Sequence, residues 1–554
     1  MHRIVPLAWI SAIALALPAT AQVSRYGLAT RVELHMLPAV TSTPLDPSWH
    51  PDGTVLAYSM RGDIWVQSIG TDHARAITQG PGYHFEPAWS PDGEWVALAV
   101  DEAGNLDIAV VRADGTDFRR VASDPAVDVQ PAWTADGRFI VFASTRGGDF
   151  DILRCEVETG AVEMLVGGDG HQFHPSPSPD GMQLAFIARV SGRLGSGGIW
   201  TTPMTGGEPR LVHYEETSYR TAPAWTPDGA ALVFASDAAG SYDLAMVSSA
   251  GGNAVRLTSE TLDEFAPAVR PDGHRVAFVG NQDGPTALYL MSGFGGRIQS
   301  WERVEQVRLS SQYDAATVRG RVTDPDGAVV PARIQLMASD GRGYVPGEAF
   351  HRVSSANEIH YFHSNGEFEV TVPAGEVRVE ALRGFEWVPA DVTVHVAAGE
   401  TAAVELRMQR LADPMQSGWV SGDTHVHDLH EGRWGLTQRE FFDQLRADDL
   451  HVANDLIHMD GTKIMGRWSD LTGEDYAGST EDTILRYSQE FRGSFGHVAL
   501  LGLREFLMPL IGGTRGSPYP ADGLKLGYMD AVYALGGIRG FLHPYTGKDR
   551  KSVV

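Results

Sequence analysis

The sequence predicts a multidomain fold: an all-β six-bladed propeller, then a small all-β sandwich, then an α/β domain. Three observations predict it. A Pro-x-Trp-x-Pro-Asp-Gly motif recurs, with variations, six times between residues 40 and 300. Residues 315–410 alternate apolar and charged positions with a period of two. The remainder switches to strands alternating with helices around an H-x-H pair, His425 and His427. At 554 residues the chain exceeds what one core supports, so about three domains are expected.

The first 21 residues read as a secretory signal. His2 and Arg3 give a weakly basic start, Ile4 to Leu17 an apolar run, and Ala19-Thr20-Ala21 an A-x-A cleavage site before Gln22. No later stretch has the roughly 20 apolar residues that span a bilayer, so a periplasmic or secreted protein with no membrane span is expected. The single cysteine, Cys155, excludes an internal disulfide and a Cys-based metal site. Its expected role is a buried thiol in a strand. With 44 Lys+Arg against 70 Asp+Glu, the net charge of -26 repels phosphate backbones and anionic headgroups. Nucleic acid and membrane surfaces are therefore excluded as partners.

Residues 30–310 hold the repeats: Pro47 to Gly53, Pro87 to Gly93, Pro131 to Gly137, Pro175 to Gly181, Pro223 to Gly229 and Pro267 to Gly273. Each Asp-Gly precedes a short strand such as Phe139 to Ala143, then a Gly/Asp turn, then a second strand such as Asp243 to Val247. Glycine takes positive φ without a Cβ clash and Asp bonds the turn's own backbone, so Asp-Gly suits these tight turns. Short strands in a repeat of about 44 residues are the signature of a propeller blade, and six copies give six blades. Trp49, Trp89, Trp133 and Trp225 recur at one place in the motif, which makes them packing residues between blades rather than ligand-binding ones. The pattern resembles the TolB-type, WD40-like (PD40) propeller family. Propellers bind peptides or partner proteins through loops at the channel mouth, so a protein partner is expected there. A propeller followed by an α/β-hydrolase would need a G-x-S-x-G nucleophile elbow, and the sequence has none.

In residues 315–410, strands are expected at Thr317 to Val322, Ala332 to Leu336, Gly366 to Val372, Val377 to Ala381 and Ala403 to Arg407. Their order resembles the carboxypeptidase-regulatory-like, transthyretin-like sandwich, which implies a spacer or adhesion role. His351, His360 and His363 cluster without an acidic or Cys pattern to complete a metal site, so they read as surface-loop histidines.

Leu411 to Pro414 reads as a linker, and residues 417–548 as the third domain. Thr437 and Glu440 form a capping box before a helix with Phe441, Phe442 and Leu445 on its apolar face. Val452 to Ile457 is the next strand, ending at His458. A helix over 483–492 would carry Glu490, followed by a strand from His497 to Gly502, a helix over 524–535, and a strand from Ile538 into His543. Such alternation predicts a parallel sheet or barrel. On a strand, His425 and His427 point to one face, close enough to share a metal ion. Such pairs also occur as satisfied core residues. What favours metal binding is that His458, Glu490, His497 and His543 also fall near element ends, where βα barrels gather their catalytic groups.

Gly422 to His427, Gln489 to His497 and Gly536 to Pro544 together resemble the CehA/McbA branch of the PHP metallohydrolases. The resemblance implies a distorted (β/α)7 barrel holding two or three divalent ions: zinc, manganese or iron. It makes His425 and His427 the H-x-H ligands, Glu490 the bridging carboxylate, and His497 and His543 further ligands. His458 matches the histidine that ends the second strand, although the family's T-D-H is here Leu456-Ile457-His458. His430 follows the pair at too short a spacing to be included. Asp423 either orients an H-x-H histidine or merely starts the strand. The implied activity is hydrolysis of an amide, carbamate or ester bond in a small-molecule or peptide substrate by metal-activated water. The alternative is a non-enzymatic propeller binding or scaffold protein with an inert barrel remnant. The barrel's last Asp-x-His-type ligand pair is expected beyond His543, and residues 549–554 read as an artefactual tail. Residues 417–548 are then the first part of a barrel, poorly active and poorly soluble as they stand.

Overall fold

The computed structural model describes residues 40–543 except 103, 169, 190–197, 215–221, 237–240, 261, 283, 294–299, 355–357, 428–435, 461–462, 466–467, 494–495, 504–510 and 513–537. The expected signal, the helix over 524–535 and the tail over 549–554 lie outside the described residues.

Blade one shows how the repeat becomes a sheet. Leu45–Trp49, Val55–Met60, Asp63–Ser68 and His73–Ala76 pair antiparallel in that order. The Val55–Met60 strand is apolar and buried along most of its length because neighbouring blades cover both faces. Its hairpin turns on Arg61 and Gly62, both at positive φ (55° and 78°). That is the type I′ geometry, whose twist matches the flanking strands. The four-strand order recurs in five further sheets, ending at Glu302–Val304. Six blades are present among the described residues.

Their apolar residues meet between blades. Ile108 and Val110 of blade two pack with Ile140 and Phe142 of blade three. Leu56 and Tyr58 of blade one pack with Leu288 and Leu290 of blade six, which closes the ring. One blade cannot bury both of its faces, so each neighbour supplies the missing cover. Motif tryptophans sit on these seams: the Nε1 of Trp49 donates to the Ala268 carbonyl (3.0 Å), Trp133 to Ala88 (3.1 Å) and Trp225 to Ser176 (2.8 Å). After blade six the chain returns as Arg308–Ser310, which pairs parallel with His73–Ala76 on the outer edge of blade one. That covers an edge otherwise open to pairing. Cys155 lies buried in the Asp151–Glu156 strand, where burial pushes its thiol up to about 11.

Two sheets follow. Ala315–Thr323 pairs with Glu367–Pro373 and Thr401–Arg407, while Ala332–Met337 and Gly375–Leu382 centre a five-stranded sheet. Val318, Ile334, Phe362, Val370, Val379 and Leu406 fill the space between them, and Glu367–Pro373 alternates exposed and buried positions along most of its length. The three histidines are not on surface loops. His360 and His363 lie in the His360–Ser364 strand, His351 is buried, and its Nε2 lies 2.7 Å from the His360 Nδ1. His360 stacks on Tyr83 of the propeller (centroids 4.2 Å apart), and His363 reaches Asp448 of the third domain. The expectation failed because the polar face of this strand is covered by other domains. At the same seam Arg342 reaches both carboxylate oxygens of Asp63 (3.1 and 3.0 Å), and the Arg61 carbonyl accepts from it (2.8 Å). Burial alone would raise the Asp63 pKa, but the Arg342 guanidinium and His84 hold it ionised.

Among the described residues from 417 onward, a sheet runs in the order Gly422–Val426, Val452–Asp460, Ile484–Gly493, Gly496–Leu501, Ile538–His543. The first three strands are parallel and the last two join antiparallel. The Gln438–Ala447 helix is capped as expected: Thr437 accepts from the Glu440 N–H and the Glu440 carboxylate accepts from the Thr437 N–H. Two expectations are corrected: the described sheet is mixed rather than parallel, because Gly496–Leu501 runs antiparallel to both its neighbours, and one element changes type. Residues 483–492, expected as a helix, form the Ile484–Gly493 strand. Leu485, Tyr487, Ser488, Gln489 and Glu490 are all buried, and a central strand covered on both faces loses the polar stripe that separates strand from helix patterns.

Candidate metal centre

Parallel pairing sets the strand ends that carry the candidate ligands. Val452 to Ile457 run in step with Ile484 to Gln489, and Gly422 and Asp423 pair with Val452 and Ala453. The ladder slips between Asp423 and Val426, a bulge that re-aims the side chains beside it. Asp423 belongs to that bulge: its Oδ1 accepts the backbone N–H of His425 (2.9 Å). It fixes the main chain next to His425.

His425, His427 and Glu490 come together. Their candidate ligand atoms all lie within 4.8 Å of one another. The Nε2 of His427 is 3.2 Å from the Glu490 Oε2, that of His425 is 3.8 Å away, and the two rings meet edge to face at 5.1 Å. Glu490 is completely buried, His427 nearly so, and His425 about 30% exposed at its side chain. A carboxylate excluded from water beside two imidazoles is a donor set suited to a divalent cation. The His427 Nδ1 lies 2.6 Å from the Leu456 carbonyl. An oxygen there can only accept, so Nδ1 carries a proton, and Nε2 is the nitrogen turned toward Glu490.

The remaining candidates are placed by their backbone alone. Position 458 follows the Ile457–Gln489 pair, on the strand next to that of Glu490. Position 497 pairs with Arg492 and with position 543. Alternating strand direction puts the ends of Gly422–Val426, Val452–Asp460, Ile484–Gly493 and Ile538–His543, and the start of Gly496–Leu501, at one edge of the sheet. The side chains of His458, His497 and His543, and the whole of His430, lie outside the described residues.

Sequence reasoning missed two things. The Leu456 contact is a main-chain carbonyl and has no residue signature. Inside the propeller, the residue before the motif proline is left-handed in five repeats: Asp46, Glu86, Gln130, His174 and Ala266, with φ between 50° and 60°. Side chains there link blades, the Glu86 carboxylate accepting the Gln130 N–H and the Gln130 amide oxygen the His174 N–H (both 2.7 Å). A following proline favours extended backbone, so these left-handed positions carry no sequence signal.

Residues 33–260 match the family model of the TolB beta propeller domain, PD40. An uncharacterized protein of Agrobacterium fabrum is 29% identical over 191 residues, which are 29% of this chain and 65% of the relative. A TolB homolog of Chlorobium luteolum is 35% identical over 94 residues, 16% of this chain and 21% of the relative. The matched region thus spans less than two thirds of either relative's length. The crystal structure of TolB from Acinetobacter baumannii superposes with a TM-score of 0.38 at 27% identity, covering 41% of this chain and 56% of that one. The six blades and the family match together make the N-terminal part of this chain a TolB-type β-propeller domain.

Proposed function

We propose that the protein is a metal-dependent hydrolase of amide, carbamate or ester bonds, with a CehA/McbA-like PHP site in a (β/α)7-type barrel behind the propeller. The convergence of His425, His427 and Glu490 carries this reading. A cation bound there would supply Lewis acidity, lowering the pKa of coordinated water to about 7 and polarising a substrate carbonyl. The protein's own part is preorganisation. His427 presents Nε2 because Leu456 holds its other nitrogen, Glu490 presents a desolvated carboxylate, and the more exposed His425 faces the substrate side. His458, His497 and His543 complete a centre of two or three ions, zinc, manganese or iron. The propeller recruits a protein or peptide partner, and the protein works in the periplasm or outside the cell. No helix among the described residues is long and apolar enough to cross a membrane.

A panel of carbamate, amide, ester and phosphoester substrates tests this. Turnover should disappear with a chelator, return with zinc, manganese or iron, and fall at least 100-fold in Glu490→Gln. Turnover indifferent to the chelator would sink the reading. The competing binding-module reading draws on the family match, which covers the propeller alone. It predicts partner binding by a chain that takes up no metal.

A further inference from the structure

The sandwich grips one corner of the third domain, the Asp448–His451 turn that joins the Gln438–Ala447 helix to the Val452–Asp460 strand. Arg333 donates to both carboxylate oxygens of Asp448 (3.0 and 2.7 Å), and His363 lies 3.3 Å from one of them. Arg383 donates to Asp449 and to the carbonyls of Arg446 (2.6 Å) and Pro331 (2.7 Å), while the Trp387 indole donates to Asp449 (2.9 Å). Beside them Gly384 is left-handed (φ 51°), and a Cβ there would stand 2.8 Å from the Asp448 carbonyl oxygen. The two backbones approach closely enough to require glycine.

That corner ties together the starts of three strands. The Ser421 hydroxyl donates to the Asp449 carbonyl (2.7 Å), the Ser421 carbonyl accepts from His451 and Val452 (3.2 and 3.1 Å), and the His451 carbonyl accepts from Ile484 (2.7 Å). Toward their other ends the same three strands lead to His425 and His427, to His458, and to Glu490. The candidate ligands lie four to six residues further on, roughly 13–20 Å along the strands.

We propose that the sandwich is a clamp that sets the register of the ligand-bearing strands, with Arg333 and Arg383 as positioning residues for the metal centre. This rests on the metal-site reading above. Bidentate Arg–carboxylate pairs fix orientation as well as distance, and a shift of one strand start carries along a parallel ladder to its other end. A spacer would need none of these contacts.

Cobalt(II) titration of the full chain, with hydrogen exchange on the same samples, tests the clamp. Arg333→Ala should weaken cobalt binding at least tenfold, change the visible spectrum, and speed exchange over residues 452–457 and 484–490 while the propeller strands stay protected. The pair Arg333→Asp with Asp448→Arg should recover affinity to within about threefold. Wild-type exchange and wild-type cobalt affinity in Arg333→Ala would overturn the clamp, as would exchange raised equally in the propeller. If the wild-type chain takes up no cobalt, the metal reading fails, and unchanged exchange in Arg333→Ala then still counts against the clamp.

Discussion

His427 holds a carbonyl with one ring nitrogen and faces a buried carboxylate with the other, so its ring orientation is set by the fold before any ion arrives. Another buried acid shows the opposite logic. Glu264 is completely buried in the propeller, where loss of water raises its pKa to about 9 despite a bond from Thr258. Its folded pKa lies above the unfolded one, so between about pH 4.5 and 9 the unfolded chain ionises while the folded one does not. Stability from this group is complete below that window and lost as pH rises through it. Glu264→Gln should therefore raise the melting temperature at pH 8 and leave it nearly unchanged at pH 4.5, which differential scanning calorimetry at the two pH values will read.

At the scale of elements, the Asp-Gly turns give the propeller an acid-sensitive contribution. The Thr54 hydroxyl and backbone N–H donate to Asp52 (2.7 and 2.8 Å) and hold its pKa down at about 2. The equivalent Asp92, Asp136, Asp180, Asp228 and Asp272 are lowered in the same way by side-chain or backbone donors in their turns. For a depressed carboxylate, the contribution is present above about pH 4 and lost as pH falls through the folded pKa. Asp52→Asn should flatten the loss of melting temperature between pH 4 and 2.5 relative to the wild type. The turns were legible because Asp-Gly acts through local bonds that sequence displays. The Ile484–Gly493 strand was not, because its polar residues Ser488, Gln489 and Glu490 are buried by neighbouring strands that sequence spacing cannot show. His425 and His427 were legible as a pair. The bulge that aims them and the Leu456 carbonyl that orients one of them are main-chain features. His360 and His363 were misread because the domains that cover them are far away in the chain.

Over the whole molecule, the sandwich is bonded to both neighbours through arginine–aspartate pairs, Arg342 with Asp63 on the propeller side and Arg333 with Asp448 on the other. Both members of the first pair are nearly completely buried. Removing one partner leaves an uncompensated charge, at a cost of about 3–5 kcal/mol. Arg342→Ala should lower the melting temperature and expose the stretch around residue 310 to limited proteolysis. Arg342→Ala combined with Asp63→Ala should cost less than the single change.

On the proposed reading, residues far apart in sequence build one metal centre. Its most direct test is the metal content of the 554-residue chain after dialysis against zinc, manganese or iron, beside the His425→Ala/His427→Ala variant with matched far-ultraviolet circular dichroism. At least one ion per wild-type chain is expected, with loss of that ion in the variant and thermal stabilisation of the wild type by about 2.7 kcal/mol at a hundredfold excess of free metal over its Kd. Equal metal content in the two proteins, or none in the wild type, would contradict it.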